Sequence, residues 1–337
     1  MPKFITQRFI YFCNQKEMQK IYLLIIIIIV FVNTVFAQQT PDKTNEEMVF
    51  SDSTEVVLLD VAVVDKNGNF IPELTKMDFQ VYEDKKEQKL DFFSQENVPI
   101  SFGLVIDTSG SMRFKLPMVL AAAKEMLKFC RAEDEVFIIN MKDDQNIKIV
   151  QPFTQNFVEA SKVVDKFLPG GGTALLDGIA QANQYAELNA KNRRQALIIM
   201  SDGDDRSSTI EKDQLINQLR TTNTQVYLLG FPEGFVTNDG KFIDYTLPKA
   251  KKLLNKIAEE SGGETFFPTS LAEILPILKK VCSDVRAQYT IGYYPAKSND
   301  SRWHTIEVKL TNKKFKYIVR TRPGYFANRK KGASPKN

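Results

Sequence analysis

From residue 102 to 286 the sequence repeats one rhythm: a short apolar run, an amphipathic stretch, then another apolar run. Residues 102–106, 135–141, 147–150, 195–201, 225–231 and 264–267 have strand character. Between and after them, 118–129, 157–168, 173–188, 210–219, 250–260 and 271–286 have helical spacing. Strands separated by helices cannot pair through tight hairpins; they line up in parallel, with the crossover helices covering both faces. The run Phe102-Gly103-Leu104-Val105-Ile106 lacks the polar alternation of a half-exposed strand, as a doubly covered sheet requires. The expected fold class is therefore α/β, a doubly wound, mostly parallel, Rossmann-like sheet. Residues 232–247, with Pro232, Gly234 and Gly240, read as an irregular insertion in it.

The flanks follow another rule. Residues 55–64 are rich in β-branched side chains, and Asn67-Gly68 is a hairpin signal. Residues 79–83 alternate apolar and polar, and the chain turns at 83–86 back into 88–93. Residues 288–293, 305–310 and 316–319 are again strand-like, separated by polar turns such as Asn299-Asp300-Ser301. Neither set has enough strands to close a core alone. Residues 55–98 and 287–327 are thus expected to be two halves of one smaller, all-β sandwich-like domain, with the α/β domain at 99–286 inserted between them. Trp303 and Tyr325 are expected to pack within it, and His304 to lie on a surface strand.

The first 37 residues are of a different kind. Lys3, Arg8, Lys16 and Lys20 precede the apolar run 21–32, and Val35-Phe36-Ala37 supplies a cleavage pattern. This is the layout of a secretory signal peptide cut after Ala37, with a polar linker at 38–54. Extended to Ala37, the run reaches the lower limit of a spanning helix, so an uncleaved anchor is the alternative, and the one route to membrane attachment. The expected location is the periplasm, the cell surface or the medium. Of the formal net charge of +4, the leader carries +3, and Arg329, Lys330, Lys331 and Lys336 in the 328–337 tail carry +4. The body is left slightly acidic, which is not the electrostatics of a nucleic-acid partner. Cys130 and Cys282 remain after the leader, as a disulfide or as two buried thiols. A single histidine, His304, removes histidine-based triads and histidine-rich zinc sites.

The apolar run 102–106 ends in Asp107-Thr108-Ser109-Gly110-Ser111. In parallel sheets ligands bind beyond the carboxyl ends of the strands, where these residues fall. Taken alone, an aspartate with two serines is equally a helix cap and a set of hard oxygen donors for Mg²⁺ or Mn²⁺. Thr173, after Gly170-Gly171-Gly172, and Asp202, at the end of 195–201, decide between them. With strand order 3-2-1-4-5-6, the first and fourth strands are neighbours at the topological switch point, so Asp107 and Asp202 converge. Asp204 and Asp205 extend that acidic loop; a solvated loop is the expected reading, and flanking a second cation is the alternative.

This arrangement resembles the von Willebrand factor type A domain and its metal-ion-dependent adhesion site. The Asp-x-Ser-x-Ser motif at Asp107, Ser109 and Ser111, with Thr173 and with Asp202 in Ser201-Asp202-Gly203, fills all five positions, and the resemblance spans roughly 99–285. Tyr82-Glu83-Asp84 and Gly292-Tyr293-Tyr294 look like the flanks of a bacterial exported subgroup. The resemblance implies Mg²⁺, with Mn²⁺ an acceptable substitute, held by serine hydroxyls and by aspartates acting partly through water. It implies a partner protein that presents Asp or Glu to the ion, and a last helix, 271–286, that shifts on binding. Enzyme readings fail on particular residues. A phosphoryl-transfer aspartate needs a second acid where Ser109 stands, an aspartic protease needs glycine there, and Gly170-Gly171-Gly172-Thr173 lacks the lysine of a phosphate loop. The expectation is a binding module and not an enzyme, the alternatives being a metal-independent envelope assembly module or a metal-dependent hydrolase.

Overall fold

The computed structural model describes residues 56–142, 147–231, 234–236, 242–244, 248–295, 301–312 and 317–327. The expected leader, linker and basic tail, and part of the 232–247 insertion, lie outside the described residues. Among those described, no helix is long and apolar enough to cross a membrane.

Four strands come first: β1 (Val57–Val64), β2 (Phe79–Glu83), β3 (Lys86–Gln88) and β4 (Phe92–Gln95). The alternating region then gives β5 (Ile100–Asp107), α1 (Leu116–Leu127), β6 (Glu135–Met141), β7 (Lys148–Thr154), α2 (Phe157–Val164), α3 (Leu175–Asn189) and β8 (Arg194–Ser201). It continues through α4 (Lys212–Leu219), β9 (Gln225–Gly230), β10 (Gly234–Val236), β11 (Phe242–Asp244), α5 (Pro248–Ser261), β12 (Thr265–Phe266) and α6 (Leu271–Ala287). The chain then returns to strands: β13 (Tyr289–Tyr293), β14 (Trp303–Leu310), β15 (Ile318–Arg320) and β16 (Gly324–Phe326).

The central sheet runs β12-β9-β8-β5-β6-β7, which in chain order is the doubly wound 3-2-1-4-5-6 arrangement. All its neighbours are parallel except β6 and β7. Phe102, Leu104 and Ile106 of β5 face α1, α2 and α6 through Val119, Met126, Ala160, Leu278 and Val281. Val105 faces the opposite side, where Ile179, Leu215, Leu254 and Ile257 of α3, α4 and α5 close the second core. Both faces of β5 are therefore dry, the physical reason its sequence is an unbroken apolar run. β7 extends past the expected 147–150, through Pro152, because it is an edge strand with register shifts against β6, where a missing N–H costs no ladder bond. Residues 234–236 and 242–244 form a two-stranded antiparallel ribbon, which corrects the irregular insertion expected there.

The flanking strands form two four-stranded sheets, β15-β1-β13-β4 and β16-β14-β2-β3. Each mixes strands from before and after the α/β region. β1 pairs antiparallel with β13, and β2 with β14. Leu59, Val61, Val81, Tyr289, Ile291 and Val308 share one core between the sheets. Asn67-Gly68 does turn the chain, with Asp65 Oδ1 accepting from the Asn67 and Asn69 amides, but the return leg makes only a single bridge at Phe70. His304 is buried, not on the surface as expected. In β14 it shares parity with Ile306 and Val308, the inward-facing residues.

Candidate metal centre at the carboxyl edge of the parallel sheet

β5 and β8 run side by side with Ile106 opposite Met200, so Asp107 and Ser201 emerge together at the sheet edge. Ser201 Oγ donates to Asp107 Oδ2 at 2.6 Å, and the Ser109 amide donates to Oδ1 at 2.8 Å. The carboxylate is fully buried. Burial pushes its pKa up to about 6 against these hydrogen bonds, and the neighbouring charge of Asp202 adds to the rise. Past Asp107 the chain makes a 3₁₀ turn at Gly110–Met112, which sets the Ser109 and Ser111 hydroxyls 3.1 Å apart.

The glycine loop lies against this turn. Gly170 donates its amide to Thr108 O at 2.8 Å, and the Gly110 amide donates to Gly171 O at 3.1 Å. Gly171 has φ +81°, a left-handed conformation that side chains disfavour. Thr173 is buried, and its carbonyl accepts from the Arg206 and Ser207 amides, which binds this loop to the one after β8. That engagement delays α3 to Leu175, two residues after the expected start.

Asp202 completes the group. It is buried; Oδ1 accepts from the Asp204 amide at 3.3 Å, while Oδ2 has no hydrogen-bond partner. Oδ2 faces Lys115 Nζ at 3.6 Å, and that ammonium donates to Phe231 O at 3.0 Å. Asp107, Ser109, Ser111 and Asp202 thus gather at the mouth between β5 and β8, and Thr173 enters through the loops that frame it.

Two residues that shape the site were not singled out by sequence reasoning. Ser201 orients Asp107, and equal placement at adjacent strand ends was the signal for it. Lys115 reaches Asp202 across space from the start of α1, and nothing local marks it. Asp205, expected in a solvated loop, is instead structural: its Oδ1 accepts from the Leu175 amide at the start of α3 and from Ser208 Oγ. Cys130 and Cys282 both stand as thiols. Burial pushes the Cys282 pKa up to about 12, and burial with the neighbouring Cys282 raises that of Cys130.

An uncharacterised protein of Borreliella burgdorferi is 24% identical over 227 residues, covering 62% of this chain; the match spans 61% of that protein's length. An aerotolerance-related membrane protein from Bacteroides fragilis, 18% identical, superposes over 55% of this chain and 98% of its own with a TM-score of 0.43. A von Willebrand factor type A structure from Catenulispora acidiphila, 14% identical, covers 78% of each chain with a TM-score of 0.48. The family model for the von Willebrand factor type A domain matches residues 102–204. That span opens on the strand that delivers Asp107 and closes on the loop that delivers Asp202, and the chain accordingly contains a von Willebrand factor type A domain.

Proposed function

We propose that this domain is an exported protein-binding module whose edge site holds Mg²⁺ and captures an acidic side chain of a partner protein. Asp107, Ser109, Ser111, Thr173 and Asp202 would hold the ion, and Mn²⁺ suits the same oxygens. The observation that carries the reading is Asp202 Oδ2, a buried carboxylate oxygen with no hydrogen bond, next to a second buried carboxylate. Two such charges are costly to desolvate unless a cation joins them. The bound ion supplies positive charge with open coordination. The chain's own part is to hold neutral hydroxyls and buried acids in place, so that a partner's Asp or Glu completes the shell. This is binding chemistry and not catalysis. Export is read from the 1–37 leader.

The test is the melting temperature of the purified protein with Mg²⁺ and with chelator. Magnesium at a hundredfold over Kd adds about 2.7 kcal/mol, an upward shift of roughly 4 °C for a chain of this size. Asp107→Ala and Ser109→Ala should abolish it. A wild-type melting temperature indifferent to metal would overturn the assignment. Capture of envelope proteins that is lost both with chelator and in Asp107→Ala would identify the partner.

One observation favours a second reading, a structural module that needs no metal. Lys115 already places an ammonium 3.6 Å from Asp202 Oδ2 and offsets part of the site's negative charge.

A further inference from the structure

We propose that Glu83, Asp84 and His304 form a second divalent-cation site, within the β-sandwich, that takes a first-row ion such as Zn²⁺. His304 Nδ1 lies 2.9 Å from Asp84 Oδ2 and 3.5 Å from Glu83 Oε1. The three ligating atoms all lie within 4.8 Å of one another. A tetrahedral zinc ion bonded at about 2.0–2.2 Å to nitrogen and carboxylate oxygen keeps its donors about 3.3 Å apart. The gaps from His304 straddle that spacing.

The cluster is also built in the manner of a ligand set. Two carboxylate oxygens face one ring nitrogen, which carries at most one proton. A dication satisfies both acids and the imidazole together. The opposite oxygen of each acid is already held by donors outside the cluster. Glu83 Oε2 accepts from Tyr293 OH at 2.6 Å and from Tyr325 OH at 3.0 Å. Asp84 Oδ1 accepts from the Thr305 amide at 2.9 Å and from its hydroxyl at 3.1 Å. Each carboxylate is thus fixed by one oxygen and offers the other, the support that orients carboxylates around metals. Access is from one side, since the Asp84 side chain is 48% exposed while those of Glu83 and His304 are 8% and 4% exposed. One imidazole with two carboxylates suits Zn²⁺ better than Mg²⁺, which prefers oxygen alone.

Glu83 ends β2 and His304 lies in β14, so the ion would clip together strands from the two ends of the chain. This site shares no residue with the Asp107 cluster and does not depend on the function proposed for it.

Calorimetric titration of Zn²⁺ into chelator-stripped full-length protein carrying Asp107→Ala tests the proposal with the edge site disabled. One Zn²⁺ should bind per chain, as it should in the presence of Asp107. Adding Asp84→Asn or His304→Gln should weaken binding at least tenfold. Asp84 is the more exposed ligand, so Asp84→Asn alone decides the matter if His304→Gln fails to fold by circular dichroism. Co²⁺ in place of Zn²⁺ should give a visible tetrahedral spectrum that Asp84→Asn removes. Absence of Zn²⁺ binding, or binding and spectra indifferent to Asp84→Asn, would overturn the site.

Discussion

Asp107 sits without solvent beside Asp202, and this gives the metal-free protein a pH signature. Its carboxyl titrates near 6 when folded, against an ordinary value of 3.8. Between those values the folded chain holds more protons than the unfolded one, so stability at this residue falls as pH rises. The benefit of protonation is fully present below about pH 4 and is gone once pH has climbed past the folded value near 6. In chelator, wild type should therefore gain melting temperature relative to Asp107→Asn when both are moved from pH 7 to pH 5. Parallel pH profiles for the two proteins would contradict the raised value. Single residues were unevenly legible in the sequence. Asp107 ends β5, Ser109 and Ser111 lie in the turn just after it, and Asp202 directly follows β8, so their place at the carboxyl edge of the sheet could be read from the apolar runs that precede them. Lys115 was invisible because its reach to Asp202 is purely tertiary. His304 was expected on a surface strand, and its parity with Ile306 and Val308, which places it on the inward face, was the signal against that.

At the scale of elements, the carboxyl end of α6 is held by an arginine from another strand. Arg194, the first residue of β8, is buried, and its guanidinium donates to the carbonyls of Val285, Arg286 and Gln288. These are the acceptors a helix end leaves unsatisfied, and a planar fork serves several at once. Arg286, in the last turn, in turn pairs with fully buried Asp134 just before β6, whose other bonds tie down the Ile100 and Arg131 amides. Any displacement of α6 on ligand binding must break the Arg194 fork or pivot about it. Arg194→Met leaves three carbonyls without their donor and should cost about 3 kcal/mol or more. Arg194→Lys should recover little of that loss, because an ammonium cannot span the fork. Urea midpoints check this, and a wild-type midpoint for Arg194→Lys would show that charge alone is needed. The helices themselves were legible from apolar spacing, but their ends were not. α3 starts late because the Thr173 carbonyl is engaged by a loop 33 residues further on, at Arg206.

The whole described molecule is stitched where the sandwich meets the α/β domain. The Arg193 guanidinium makes two bonds to Asp60 of β1, at 2.8 and 3.0 Å. Arg320 of β15 pairs with Glu264, and Arg322 donates to Asn223 Oδ1 at 2.7 Å and to Leu58 O at 3.0 Å. Arg220, at the end of α4, lies over the Trp303 ring at 4.9 Å. The change of rhythm in the sequence, from strands to alternation and back, coincides with the passage from the flanking antiparallel strands to the central sheet and back. These arginine contacts it could not show, because they join residues far apart in the chain with no shared periodicity. They carry a consequence for unfolding. The sandwich cannot close without strands from both ends, and buried or half-buried charges at the junction lose their partners if either part opens alone. Two separate probes exist. Trp303 is the only tryptophan and lies in β14, whereas every described α-helix belongs to the α/β domain. Trp303 fluorescence and far-ultraviolet helical dichroism should therefore trace one coincident urea transition. Arg193→Met combined with Arg320→Met should pull the two curves apart, fluorescence moving first, since the sandwich has the smaller core. Wild-type curves that already separate would mean that the junction does not couple the two parts.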